Sequence, residues 1–140
     1  MQLPEILSAR TSYLLGRAAS RLHALGLRDL EPLGITPREY SVLAVLGDRS
    51  PLSQTQVAEV LGLDRTTILK LGASLERKSL VVRERDAGDA RAYAMALTPA
   101  GERLREEAFE LLLACEAQFL TPLTRKERKQ LHDLLARVAD

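Results

Sequence analysis

The sequence predicts a mainly α-helical chain carrying one small β-element, and three observations lead there. Apolar residues recur at steps of three and four over long stretches near both ends, as amphipathic helices require. Between Ser53 and Arg77 two shorter helical patterns are separated by Gly62, a residue suited to a tight turn. Directly after them, Leu80–Val82 and Tyr93–Leu97 read as two strands around a polar, glycine-containing connection, Asp86–Arg91. Two short helices, a turn and a two-stranded ribbon are the build of a winged helix-turn-helix, here with helices added at both ends.

In chain order, the first helix is expected from Pro4 to Leu25. Leu7, Thr11, Leu14, Ala18, Leu22 and Leu25 share one face, and Ile6, Tyr13 and Leu15 widen it. Gly26 to Gly34, interrupted by Pro32, should break it. Thr36-Pro37-Arg38-Glu39 then supplies an N-cap, a first-position proline and a third-position glutamate, opening a helix that turns Tyr40, Val42, Leu43, Val45 and Leu46 inward. Gly47 to Pro51 reads as a turn. Ser53 and Gln56 form a capping box at the next helix, Ala58 is small where two helices cross, and Ile68 packs the following helix down, with Leu61, Leu63 and Leu71 filling in. Beyond the ribbon, Thr98-Pro99 starts a long helix with Leu104, Ala108, Leu111, Leu112, Cys115 and Phe119 along one side, ended by Thr121-Pro122. Thr124 and Glu127 cap a last helix bearing Leu131, Leu134, Leu135 and Val138. The expected organisation is therefore 1–34, an N-terminal dimerisation helix and linker; 35–97, a winged helix-turn-helix; and 98–140, C-terminal dimerisation helices.

The helix from Asp64 to Arg77 sorts its residues by face. With successive residues about 100° apart, Ile68, Leu71, Leu75 and the cap Asp64 fall on one side and Thr66, Lys70, Ala73 and Arg77 on the other. Arg65, Thr66, Thr67 and Lys70 occupy its N-terminal half, the part a recognition helix presents to base edges, where short hydroxyls suit a groove floor and long cations its phosphate walls. Ser53 or Gln54 is expected on phosphate. Arg83, Arg85 and Arg91 make the ribbon cationic; Arg83 and Asp89, with Arg77 of the helix, are also expected at the DNA interface, and Arg91 is suited to an adjacent minor groove. Asp89 either pairs with an arginine and shapes the loop or simply forms the turn.

The run LGLDRTTILKLGASLERKSLVVRERDAGDARAYAMALTPAGERL resembles the MarR family of bacterial regulators. Leu75, Leu80, Val81, Arg83, Asp89, Arg91, Leu97, Thr98 and Gly101 match the family pattern, which runs from the recognition helix through L-x-x-x-G-L-V-x-R and a D-x-R wing to L-T-x-x-G. There are three departures. Ser79 stands where glycine is usual, Leu69 where a polar residue is common, and Gly72 lies inside the recognition helix at a cost of about 1 kcal/mol relative to alanine. The resemblance implies a homodimer in which both chain ends meet, as their broad apolar faces also suggest. Two recognition helices then lie about 34 to 36 Å apart, one turn of DNA, on a pseudo-palindromic operator. It also implies a small aromatic or anionic effector between the dimer helices and the DNA-binding lobe. Tyr13, Arg17 and Tyr40 could line such a pocket, although each also fits a plain role as core residue or surface charge.

Composition narrows the alternatives. At 140 residues and 46% apolar, the chain can build one ordinary core, and no apolar run is long enough to span a membrane, so a cytoplasmic protein is expected. Net charge is only +1; from Leu63 to Ala92 seven lysines and arginines face five carboxylates, a local excess of +2 that suits moderate, salt-sensitive binding of double-stranded DNA. No phosphate-binding glycine loop, nucleophile motif or zinc motif is present, so no enzyme activity, cofactor or metal is expected. His23 and His132 stand on opposite terminal helices. Cys115, the single cysteine, excludes an internal disulfide, and its apolar neighbours suit a buried thiol. Peroxide-sensing MarR relatives carry their cysteine near the start of the first helix, where this chain has none. The sequence thus points to a DNA-binding transcriptional repressor released by a small ligand. The rivals are a winged-helix protein-interaction module and a redox-switched regulator acting through Cys115.

Overall fold

A computed structural model describes residues 2–86 and 89–139, and the side chains of residues 86–92 lie outside that description. In order the chain forms α1 (Glu5–Ser8), α2 (Thr11–Leu30), a 3-10 turn (Glu31–Leu33), α3 (Pro37–Arg49), β1 (Leu52–Ser53), α4 (Gln54–Leu61), α5 (Arg65–Arg77), β2 (Val81–Asp86), β3 (Asp89–Leu97), α6 (Pro99–Phe119) and α7 (Arg125–Ala139). Mainly α with a small β-wing is the class anticipated.

Three boundaries differ from expectation. The first helix is split, because the Ser8 hydroxyl donates back to the Glu5 carbonyl and Arg10 turns extended before α2 begins. Gly26 does not break α2. It is buried where a Cβ would lie 3.1 Å from Pro37 and 3.5 Å from Leu112, so glycine there lets α2 approach α3 and α6 closely. The break comes after Leu30, at Pro32 and at Gly34 with φ 70°. Gly47 to Arg49 stay helical, leaving Ser50-Pro51, joined by a cis bond, as the turn.

The ribbon is a three-stranded antiparallel sheet in the order β1-β3-β2, with Leu52 opposite Met95 and Val81 opposite Leu97. Two residues of β1 are too few to show a period, which is why the sequence suggested only two strands. Most of the Asp86–Arg91 connection is strand, since Asp86 pairs with Asp89 past an irregularity at Arg85.

Every expected cap is present. Thr36 and Glu39, Ser53 and Gln56, and Thr124 and Glu127 form reciprocal boxes. The core joins Val42, Leu43 and Leu46 of α3, Val57 of α4, Ile68 and Leu75 of α5, Val81 and Met95 of the sheet, and Ala108 of α6. The terminal helices are different. Ile6, Leu14, Phe109, Leu113, Leu134 and Val138 are exposed large apolar residues, Val138 at 74%. These side chains point away from the core that α2 and α6 share with α3 and stay open to solvent in the single chain.

Candidate nucleic-acid interface

Gly62, at φ 63°, turns the chain between α4 and α5, and Leu63 N–H closes the turn on the Ala58 carbonyl at 3.0 Å. Asp64 then caps α5. Its carboxylate accepts from Thr67 N–H at 2.8 Å and from the Thr67 hydroxyl at 2.7 Å, and those bonds, the side-chain one foremost, hold it below the ordinary carboxylate value. Thr67 is thereby turned toward the cap. Ile68, Gly72 and Leu75 are buried beneath α5, whereas Arg65, Thr66, Lys70 and Arg77 are exposed and make no ion pair among the described residues. Leu69 joins them at 39% exposure.

Gly72 has a reason in packing. A Cβ there would lie 3.1 Å from Met95 Sδ and 3.5 Å from Arg83 Cδ, so its helix-propensity cost accompanies close seating of α5 on the sheet. The C-terminal end of α5 is closed by Ser79 at φ 59°, with Leu80 N–H donating to the Leu75 carbonyl at 3.0 Å and Ser79 N–H to the Glu76 carbonyl at 2.9 Å. That is a Schellman closure with serine in the left-handed position. The Thr98 hydroxyl donates to the Ser79 carbonyl at 2.7 Å and accepts from Gly101 N–H at 3.0 Å. Gly101 lies so close to the Leu80 carbonyl that a Cβ has no room.

Two anticipated DNA contacts sit elsewhere. Gln54, expected on phosphate, is 3% exposed, because the first residue of α4 turns toward the protein rather than outward. Arg83 folds onto α5: it donates to Glu76 at 3.0 Å and lies 5.6 Å from the Tyr93 ring centroid. Ser53 remains partly exposed, its hydroxyl accepting from Gln56 N–H at 3.1 Å. Asp89 and Arg91 have side chains outside the described residues. A group that the sequence did not bring together is Glu39, Ser74 and Lys78, linked across α3 and α5 by one carboxylate.

Of the three suggested effector residues, two meet. Arg17 reaches the Tyr13 hydroxyl at 3.4 Å over an open groove that also includes Ser12, Gly16 and Ser20. Tyr40 is elsewhere. Arg21 of α2 lies over Phe119, the last residue of α6, so Tyr13 and Arg17 extend past the end of α6, while Tyr40 faces the charges of Arg105 and Glu116 within it. Burial pushes the Tyr40 hydroxyl above its ordinary value.

Cys115 is 2% exposed, and burial followed by a hydrogen bond with Asp29 pushes its thiol up, which keeps it protonated and poorly nucleophilic. His23 and His132 are both exposed, and among the described residues no three metal-ligating side chains cluster. No helix among them is long and apolar enough to cross a membrane.

A compact helix-turn-helix with an exposed cationic helix, backed by an antiparallel wing, defines a winged helix-turn-helix protein. The MarR family pattern matches residues 33–92. A MarR-family transcriptional regulator from Rhodococcus sp. RHA1 is similar over 97% of this chain and 96% of its own, at 30% identity and a TM-score of 0.89. The transcriptional repressor CouR, solved on a 23-mer DNA duplex, is 30% identical over the whole of both chains with a TM-score of 0.90. CouR from Rhodococcus jostii RHA1 bound to p-coumaroyl-CoA is 29% identical over 97% of this chain and 96% of its own, with a TM-score of 0.84. A Thauera aromatica protein named as a transcriptional regulatory protein for the hcr operon is 32% identical over 75% of this chain, which spans 63% of that relative's length. The chain belongs to the MarR family of transcriptional regulators.

Proposed function

We propose that this protein is a homodimeric, sequence-specific DNA-binding regulator, a repressor whose hold on a pseudo-palindromic operator is released by a small ligand. The observation that carries the reading is the division of α5. One face is locked by Ile68, Gly72 and Leu75, and the other offers Arg65, Thr66, Leu69, Lys70 and Arg77 to solvent. A helix seated this firmly presents a fixed set of side chains to a major groove, as base reading requires. Thr66 and Lys70 read bases, Leu69 suits a thymine methyl, and Arg65, Arg77 and Ser53 meet phosphate, while Arg91 reaches the minor groove and Asp89 shapes the loop around it.

In this reading, residues 35–97 are the DNA-binding unit and the flanking segments, 1–34 and 98–140, dimerise. The exposed apolar side chains on α1, α2, α6 and α7 support it, since apolar surface of that extent is seldom left in water. Tyr13 and Arg17 supply an effector site on α2, the guanidinium countering an anion and the phenol packing a ring. CouR's structure with p-coumaroyl-CoA supports the same direction.

Selection from a random duplex pool tests the proposal. An inverted-repeat consensus with half-sites about one DNA turn apart is the expected result. Recovery of no consensus contradicts DNA reading, and a well-folded monomer in sedimentation contradicts the dimer.

A further inference from the structure

We propose that Glu39 is a positioning residue for DNA reading: through one buried carboxylate it holds the C-terminal end of α5 against the start of α3. The inference rests on the function proposed above. Glu39 is 3% exposed, and its two oxygens are fully engaged. Oε1 accepts from Thr36 N–H at 3.1 Å and from Lys78 Nζ at 3.0 Å; Oε2 accepts from Lys78 Nζ at 2.9 Å and from the Ser74 hydroxyl at 3.0 Å.

The geometry follows from two spacings. Glu39 is the third residue of α3, where a capping-box glutamate must sit, and one oxygen reaching back to Thr36 fixes its side chain. Ser74 and Lys78 are four residues apart and so share a face of α5. Lys78, at the helix C-terminus, also opposes the negative end of the helix dipole. One carboxylate therefore caps α3 and grips the last turn of α5. Sequence reading finds only the first half, because the capping box accounts for Glu39 without its second set of partners.

Apolar packing between Val42, Leu43 and Leu46 and the residues Ile68 and Leu75 keeps α3 and α5 together, but it is non-directional. Charge-assisted hydrogen bonds are directional, and they fix the angle of α5. That angle matters at the reading end. A pivot of about 10° at Lys78 moves Thr66, twelve residues away, by about 3 Å at a rise of about 1.5 Å per residue, more than a base hydrogen bond tolerates. Glu39 also lies just beyond the Leu30–Gly34 junction leaving α2, so the same carboxylate ties α5 to the start of the segment that follows α2.

The test uses the full chain, a duplex recovered by selection and a random duplex. Glu39→Gln keeps an amide oxygen for Thr36 and removes the charge that Lys78 pairs. The ratio of selected to random affinity should fall about tenfold, the loss of roughly one good base contact, with random-duplex affinity unchanged. Lys78→Met should lower the ratio similarly, and the double variant should lose no more than either single one, because both open the same clamp. Ser74→Ala, which removes one hydrogen bond and no charge, should lower the ratio in the same direction and guards against misfolding of the stronger variants. An unchanged ratio, or additive losses in the double variant, overturns the positioning role. If the wild-type protein selects no sequence, the DNA-reading function fails first, and that result is read on the wild type alone.

Discussion

The Arg83 guanidinium, on the first long strand of the wing, donates to the Glu76 carboxylate of α5 at 3.0 Å while lying 5.6 Å from the centroid of the Tyr93 ring. Wing and reading helix are thus tied to each other. Arg83→Ala should cost about 1 kcal/mol, because a partly exposed ion pair contributes little and the rest comes from cation–π contact and lost packing. The hydrogen bond to Arg83 holds Glu76 below its ordinary value of 4.5. Its stabilising share is complete above the unfolded carboxylate value and is lost as pH falls through the lower folded one. In Arg83→Ala, NMR titration of the Glu76 carboxyl should move up toward 4.5; an unmoved titration contradicts the link.

Ser79 takes the left-handed conformation at φ 59° that glycine adopts without strain. Ser79→Gly should raise stability by about 0.5 to 1 kcal/mol, since the left-handed penalty of about 1 to 2 kcal/mol is partly offset by the greater freedom of glycine in the unfolded chain. Urea denaturation measures it, and DNA affinity should stay constant.

Gly101→Ala should act in the opposite sense. The new Cβ would meet the Leu80 carbonyl, which is held in place by Thr98 N–H at 3.1 Å, so neither side gives easily. A loss of roughly 3 kcal/mol or more is expected from such overpacking, read as a lower thermal midpoint.

Thr66→Ala and Lys70→Ala should change which sequences are preferred, by about 1 to 3 kcal/mol for each good base contact. If the exposed Leu69 packs on a thymine methyl as proposed, Leu69→Ala should weaken discrimination between thymine and uracil at one operator position. Arg91→Ala should weaken all sequences alike and reduce the salt slope. Binding of variant duplexes checks each, and a uniform loss for Thr66, Leu69 and Lys70 would contradict base reading.

Local chemistry explains how much of this was legible in the sequence. Capping boxes at Thr36, Ser53 and Thr124 are written in adjacent residues, and the buried face of α5 follows from helical period alone. Gly26 misled because its role is set by Pro37 and Leu112, which the fold brings beside it. Residue type suggests phosphate contact for Gln54 and DNA contact for Arg83, while the burial of one and the Glu76 partner of the other are tertiary facts. The grip of Glu39 on Ser74 and Lys78 spans more than thirty residues of sequence, and no local pattern announces it. Likewise, Tyr13 and Arg17 are one helical turn apart and meet, whereas Tyr40 belongs to another helix and faces Arg105.

Sequence-specific DNA reading is tested most directly by the affinity of the purified protein for its selected duplex and for a shuffled duplex of equal length, measured at low and at near-physiological salt. Shuffled-duplex binding should fall steeply with salt, because it rests on phosphate contacts alone, and the selected duplex should be preferred by about a thousandfold or more at the higher salt. Equal affinity for the two duplexes at both salts would contradict it.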